Sequence, residues 1–255
     1  MNGFLALTWN GFREARRNKV TVVVAAFAAL VLLSSPLIME ITVTTFDRVL
    51  TDFGLGMMSL ILAFLAVFLS CGLLSKEIER RTIFLIVSKP LSRASFVVAR
   101  WSGNLLTLAV MLAAMYAVFA LQLTALRSPL TTVQLVASIG LFAELVLITS
   151  AGFFFSSIAG PMVSAVATLG LYLAGHLASD LHSLSQASLS PVLRTGGKVL
   201  YYLLPDLGRV NFRPQAAYEL AVPVNDLLLG LVHVGAWSAV LLTLAIVFFN
   251  RRDFR

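Results

Sequence analysis

Two long apolar stretches of the chain are separated by the charged sequence KEIERRTIFLIVSKPLSR, residues 76–93. One set of its residues recurs with the spacing i, i+4, i+7 and i+8, which is the repeat of one face of an α-helix. That face carries Ile78, Thr82, Leu85 and Ile86, and the other side carries Glu77, Arg80, Arg81 and Phe84. Pro90 would end such a helix, and Ser92 could cap the next one. The sequence therefore predicts a short amphipathic helix that lies across the membrane surface.

The composition of the chain is that of a protein with several membrane spans. Hydrophobic residues make up 59% of the 255 residues and charged residues 12%, and the mean hydropathy is +0.92. A soluble core could not bury that much apolar surface, so we expect no soluble domain. The net charge of +7 predicts no nucleic-acid partner, because the basic residues flank the apolar runs instead of forming a separate module. The single cysteine, Cys71, excludes an intramolecular disulfide.

Six apolar runs are each long enough to cross roughly 30 Å of hydrocarbon as a helix. They extend over about Val20–Met39, Phe53–Leu74, Phe96–Leu123, Val133–Ser156, Pro161–Ser179 and Leu227–Phe249. Residues 1–19 place apolar and basic side chains on different faces of a helix, which predicts an interfacial helix before the first span. The expected fold is all-α, a polytopic membrane protein whose residues 1–255 form one transmembrane domain.

The distribution of Lys and Arg predicts the orientation of the spans. Thirteen of the 19 basic residues lie in the N-terminus, in residues 76–100 and in the C-terminus. Because cytoplasmic loops carry the excess of basic residues, we expect both termini and residues 76–93 to be cytoplasmic.

The long segment 180–226 falls on the opposite, extracytoplasmic side in this topology. It contains the apolar run Val199–Leu204, which is far too short to span the bilayer. The run predicts a re-entrant or interfacial element with its tyrosines at headgroup depth.

Three stretches of the chain carry a resemblance to a known family. The segment after the second span begins with the pattern Glu77-x-Glu79-x-x-Thr82 and ends with Lys-Pro-Leu-Ser-Arg at residues 89–93. It resembles the cytoplasmic coupling helix of type-2 ABC transporter permeases, and in particular of the six-span subunits of gliding-motility and nitrous-oxide-reductase-maturation type. Leu200–Phe212 and Phe248–Phe254 resemble the same group. The resemblance covers essentially the whole chain.

The resemblance implies that the coupling helix docks into a groove on a separate cytoplasmic ABC ATPase subunit. The docking residues it implies are Glu77, Glu79, Arg80, Arg81, Thr82, Lys89 and Pro90. On the residues alone, a solvated loop that only sets the orientation remains the alternative for this segment. Two ATPase copies are also implied, together with a second permease subunit. That subunit would be another copy of this chain in a homodimer, or a paralogue.

ATP and Mg are expected to be bound by the partner ATPase, with no cofactor and no metal in this chain. Gly196-Gly197-Lys198 is followed by Val199 and lacks the first glycine of a P-loop, so the sequence offers no nucleotide site of its own.

Glu144 is the most unusual polar residue, because it lies near the middle of the fourth span, where an acidic group costs about 2.5 to 3.5 kcal/mol on insertion scales. One interpretation is a polar contact in the substrate path or a protonatable switch. The other is a protonated acid that bonds to a neighbouring helix for structure only. His176 and His233 also fall in or near spans and are expected to be packed, and Arg127 and Asp180 are expected to contact lipid headgroups.

The function predicted for the chain is that of a non-catalytic ABC permease subunit in a bacterial or archaeal cytoplasmic (inner) membrane, in contact with membrane lipid. Closure of the ATPase subunits would push the coupling helices, and the spans would then export an amphipathic or lipid-like solute or pass force to an extracytoplasmic partner. Two other classes stay open. A metal or haem redox subunit would use Glu144, His176 and His233 as ligands, and a passive anchor would only recruit a soluble complex.

Overall fold

The computed structural model describes residues 8–9, 20–42, 45–79, 93–187 and 190–251, and these residues form helices and no strand. In chain order the helices are α1 (Val20–Ile41), α2 (Phe46–Glu79), α3 (Arg93–Ala125), α4 (Thr132–Ile158), α5 (Pro161–Ala187), α6 (Pro191–Leu203), a 3₁₀ helix (Leu207–Val210), α7 (Arg213–Ala217) and α8 (Val224–Arg251). Helices α1 to α5 and α8 are long and apolar enough to span a membrane. The predicted all-α fold with six spans is confirmed.

All six spans extend beyond the ends that the apolar runs predicted, and two of them do so by five and eight residues. The sequence placed the end of the second span at Leu74 and that of the fifth at Ser179, whereas α2 continues to Glu79 and α5 to Ala187. The 34 residues of α2 measure about 51 Å as a helix, against roughly 30 Å of hydrocarbon. An apolar window stops at the first polar residues, but a helix continues through the headgroups because its backbone bonds do not depend on hydropathy.

Helix α4 is the centre of the bundle. Of its most apolar window 72% is buried, against 22% for α1, α5 and α8, and it packs against α2, α3, α5 and α8. Small residues permit this packing. A Cβ on Gly152 of α4 would overlap the hydroxyl of Ser70 on α2, so the two helices cross in direct contact there.

Helix α1 lies at the edge of the bundle and tolerates an internal proline. Pro36 has no N–H for the carbonyl of Leu32. The hydroxyl of Ser35 donates to that carbonyl at 2.9 Å, so the carbonyl keeps a hydrogen-bond partner in the membrane. One residue earlier, the side-chain amide of Gln122 on α3 donates to the carbonyl of Val31 at 2.9 Å, which ties α1 to the bundle.

The N-terminal end of α3 and the C-terminal end of α8 meet on one side of the bundle. Phe96 and Phe249 stack with ring centroids 6.1 Å apart and pack on Phe153 of α4. Residues 8–9 are helical, and the Thr8 hydroxyl lies 3.2 Å from that of Ser102 on α3. The rest of the predicted interfacial helix, residues 1–19, lies outside the described residues.

Helix α6 folds back along the end of α5 as an antiparallel hairpin. Arg194 Nε donates to Gln186 Oε1 at 3.3 Å, and the ring of Tyr201 stacks on that of His182 with centroids 4.4 Å apart. A Cβ on Gly197 would overlap Ser185. Residue numbers therefore rise along α6 as they fall along α5, and the chain runs back into the bundle.

The segment that follows α6, residues 204–217, is here called the cap. It enters the bundle between α4, α5 and α8, where Gly140, Gly175 and Gly230 face it. A Cβ on any of these glycines would lie within 2.8 Å of a backbone carbonyl oxygen of residues 205–210. Because these three glycines have no Cβ, the irregular backbone of the cap can pack directly against the spans. Protein has to surround such backbone at this depth, since hydrocarbon offers it no hydrogen-bond partners.

Replacement of Gly140 by Ala should lower the melting temperature of the purified protein. The new Cβ would overlap the carbonyl oxygen of Val210, which belongs to the backbone and cannot rotate away. We expect a loss of about 1–3 kcal/mol, the usual cost of overpacking.

Gly235→Ala is the matched control, because no atom lies within 4 Å of a Cβ at that position of α8. At an open helical position Ala should be neutral or stabilise by up to about 1 kcal/mol. Equal melting temperatures of the two variants would contradict the seating of the cap on α4.

Candidate functional site

The predicted docking residues lie at and beyond the end of α2. Glu77 and Glu79 belong to the last turn of its backbone helix, so residues 76–79 continue α2 and do not begin a separate helix. The other five, Arg80, Arg81, Thr82, Lys89 and Pro90, lie outside the described residues. Their arrangement and docking role stay a prediction.

The docking segment, residues 76–93, ends at Arg93, and this residue contacts α8. Arg93, the first residue of α3, donates from Nη1 to the carbonyl oxygen of Asn250 at 3.2 Å. That carbonyl is in the last turn of α8, where a cation also interacts favourably with the helix dipole. The end of the docking segment and the end of α8 therefore lie on the same side of the bundle.

Glu144 lies in the interior of the bundle, near the middle of α4. Twelve residues separate it from Thr132, which is about 18 Å of helix. Its side chain is 2% exposed, and Oε1 is 3.1 Å from Nε2 of His176 on α5. The sequence expected this carboxyl to face protein or water but did not identify its partner.

Other polar side chains gather around this pair. The ring of Tyr172 meets that of His176 edge to face, with centroids 4.8 Å apart. Ser59 of α2 and Arg213 of α7 are close enough to Tyr172 to interact electrostatically with its phenol. The set draws on α2, α4, α5 and α7. Glu144 and Ser59 are buried, whereas His176, Tyr172 and Arg213 are half-buried, so the cap and three spans meet at a partly buried polar group.

The Glu144–His176 contact joins α4 to α5 through a hydrogen bond of 3.1 Å. It gives the buried carboxyl the polar partner that a polar group needs in an apolar interior. This arrangement supports the interpretation of Glu144 as a structural acid bonded to a neighbouring helix.

His233 does not join this pair. It lies on α8, where its Nε2 accepts a hydrogen bond from the backbone N–H of Asp206 at 3.3 Å. Glu144, His176 and His233 therefore form no common ligand set. In the described part of the chain, no three His, Cys, Asp or Glu residues are placed to hold a metal ion, so the redox interpretation has no site on these residues.

The cap carries a polar cluster that the sequence reasoning missed. Asp206 is buried, and its Oδ1 accepts from the N–H of Gly208 at 3.1 Å. Its Oδ2 accepts from the Tyr201 hydroxyl and from Arg209 Nε, both at 3.3 Å. Arg209 Nη2 also donates to the Tyr201 oxygen at 2.8 Å, and this bond raises the pKa of Arg209. The only signal in the sequence was the Leu-Pro-Asp pattern at residues 204–206.

Arg127 and Asp180 stand apart from both clusters. Arg127 lies in the turn after α3 with φ of 60°, and Asp180 is exposed on α5. Their predicted contacts with lipid headgroups stay a prediction.

An apolar groove of about 510 Å³ lies between α2 and α5. Its walls include Phe64, Phe68 and Cys71 of α2 and Met162, Val166 and Leu169 of α5. Phe68 is 66% exposed and Met162 81%. The groove opens sideways, at the lateral surface of the bundle, where it can bind an acyl chain or a neighbouring helix.

Comparison with known proteins agrees with this architecture. The family model described as ABC-2 family transporter protein matches residues 5–254, which is nearly the whole chain. No curated protein matches the chain. The chain has six spans and a charged segment after the second, and the family model covers nearly all of it. It therefore belongs to the ABC-2 family of transporter proteins and is a type-2 ABC permease.

Proposed function

We propose that this permease subunit exports an amphipathic or lipid-like solute, driven by ATP hydrolysis in separate ATPase subunits. The observation that carries the mechanism is the continuity of α2, which runs as one helix of 34 residues from Phe46 to Glu79. A helix without a break transmits displacement of one end to the other. Docking at Glu77 and Glu79 would therefore move the wall of the groove between α2 and α5.

The contacts of α2 support this mechanism. Ser70 packs against Gly152 of α4 without an intervening side chain, and the sulfur of Cys71 lies 3.7 Å from the Thr168 hydroxyl on α5. Both contacts lie two to three turns before Glu79. A shift of the docking end would change the packing of α2 on α4 and α5 directly.

The chemistry of the docking segment suits a polar groove on the ATPase. Glu77 and Glu79 supply carboxylates, and Arg80 and Arg81 supply guanidinium groups, so the segment can make charge-assisted hydrogen bonds of both signs. ATP and Mg would be bound by two ATPase subunits, and this chain would be non-catalytic.

A second copy of the permease would complete the path. The groove between α2 and α5 opens outward, so a symmetric partner that faces it would enclose an apolar passage. We therefore propose a homodimer. An apolar wall of this kind favours a solute with an acyl chain or another large apolar part over a small ion.

The orientation follows from the basic residues. With both termini and residues 76–93 in the cytoplasm, the cap and the connection 126–131 face outward. The location we propose is the cytoplasmic membrane of a bacterium or archaeon.

Labelling of single cysteines tests this orientation. In a Cys71→Ala background, Leu220→Cys should react with an impermeant maleimide on intact cells, and Gly160→Cys should react only after lysis. Both positions are exposed, so accessibility within the protein does not separate them. Equal or reversed labelling would overturn the proposed topology.

Charge reversal tests the docking segment. Glu77→Lys with Glu79→Lys should leave the protein inserted, because added cytoplasmic positive charge favours the same topology. Binding to the ATPase should weaken about tenfold or more, since like charges set against each other cost several kcal/mol. Co-purification and stimulated ATP hydrolysis are the measurements.

The neutral variant Glu77→Gln with Glu79→Gln is the control for this experiment. It removes the attraction without adding repulsion, so its effect should be smaller. Full binding and stimulation by the doubly reversed variant would refute the docking role of this pair.

A double-mutant cycle tests Glu144. Glu144→Gln should keep stability and transport, because the amide can still bond to His176 Nε2. Glu144→Leu should cost about 1–3 kcal/mol, since it leaves the imidazole unpaired in the interior. Replacing both residues by Leu should be less costly than the sum of the single changes.

The measurements for this cycle are melting temperature, assembly with the ATPase and solute export. A Glu144→Gln variant that folds and assembles but does not transport would show instead that the carboxyl must ionise or meet the solute.

A further inference from the structure

Helix α6 presents an apolar face that the described protein does not cover. Towards the inner end of the helix this face carries Val199, Leu200 and Leu203, which are 59%, 48% and 66% exposed. The helix contacts α5 through the other side, by Gly197 and Tyr201. The apolar face therefore points away from the bundle, and it requires an apolar environment outside the described chain.

The hairpin with α5 sets the depth of each residue of α6. Helix α5 has 27 residues, and about 20 residues fill roughly 30 Å of hydrocarbon. If Pro161, the first residue of α5, is taken as the inner boundary of the hydrocarbon, the outer boundary falls near Leu181. Tyr201, stacked on His182, lies at this boundary, whereas Pro205, beside Gly175, lies about 9 Å deeper by the helical rise.

The side chains of α6 follow this depth in the order of a bilayer interface. Arg194, at the level of Gln186, lies outermost, and Lys198 lies one turn further in. Tyr202 follows at headgroup level, and Leu203 lies at the edge of the acyl chains. Basic groups at phosphate depth, tyrosine below them and leucine below that follow the order of side chains found at a membrane–water interface.

Neither basic residue is neutralised by an acidic side chain in the described protein. Arg194 bonds only to the neutral amide of Gln186, and for Lys198 no partner is present among the described residues. Two cations at the outer end of an uncovered apolar face complement the phosphate groups of phospholipids.

We propose that α6 is a lipid-binding element, which inserts its apolar face into the outer leaflet and holds anionic phospholipid phosphates with Arg194 and Lys198. The outer leaflet is specified by the proposed orientation, whereas insertion of α6 does not depend on it. Such a site would fix the cap, and with it the outer ends of α4, α5 and α8, relative to the bilayer surface.

The depth of α6 is tested with the full-length protein in nanodiscs. Single cysteines at Thr195 and Leu203, in a Cys71→Ala background, are spin-labelled and exposed to oxygen and to a water-soluble nickel complex. The Leu203 label should favour oxygen and the Thr195 label the nickel complex. Equal access of the nickel complex to both labels, or exclusion of both reagents from Leu203 by covering protein, would overturn the proposal.

Lipid selectivity is tested by titrating phosphatidylglycerol into phosphatidylcholine nanodiscs and following the melting temperature. Arg194→Gln with Lys198→Gln should weaken the apparent affinity roughly fivefold per charge lost. Arg194→Lys with Lys198→Arg keeps both charges and should respond like the parent.

An unchanged titration for the Gln variant would overturn the phosphate contact. The lipid assignment would also be overturned if inorganic phosphate in detergent raised the melting temperature as much as phosphatidylglycerol does in nanodiscs. The site would then bind a soluble anion. Neither readout uses ATPase stimulation or export, so a failure here is distinct from a failure of the proposed transport function.

Discussion

The lack of hydrogen-bonding partners in hydrocarbon is the constraint on which the rest of this structure depends. It requires each span to be a helix, because only a helix pairs its backbone within itself. It also explains the local compensations. Ser35 supplies a donor to the carbonyl that Pro36 leaves free, and Asp206 accepts from a backbone N–H in the irregular cap. The cap can lie beside the spans only because protein surrounds it on three sides.

Helix α4 connects the features that matter for function. Helix α2, whose far end carries the predicted docking residues, packs on Gly152, and the cap packs on Gly140. Glu144 lies between these two contacts and bonds to α5. The helix that carries the proposed docking end and the cap, which the proposed orientation places outside, thus contact one helix about three turns apart. This proximity gives a physical route by which movement of α2 could reach the outer side.

Small residues and buried polar residues have different roles in this bundle. Apolar packing in a membrane gains little from the hydrophobic effect, because lipid tails are as apolar as leucine. Close approach at Gly140 and Gly152 therefore matters through van der Waals contact, and hydrogen bonds such as Glu144–His176 fix which faces meet. The Asp206 cluster has the same role for the cap, where it joins the end of α6 to the 3₁₀ helix.

Prediction from the sequence succeeded where a property belongs to one segment and failed where it belongs to a pair of segments. The lengths of the apolar runs predicted all six spans. Their ends were in error by up to eight residues, because hydropathy does not detect helical turns that continue among the lipid headgroups. Glu144 was identified as anomalous because a carboxyl in an apolar run is anomalous anywhere. His176 was identified only as packed, since 32 residues separate it from Glu144 and no periodicity links positions on two different helices.

What the sequence by itself determined is the class of protein, the number of spans and the residues that are costly in a membrane, because these follow from local composition and helix length. What only the tertiary structure decided is which residues meet: Glu144 with His176, three separate glycines with the cap, and α6 with the end of α5 so that its apolar face turns outward. The physical reason is that contacts between helices depend on their rotation and register. Those are set by the packing of the whole bundle and not by any single stretch of chain.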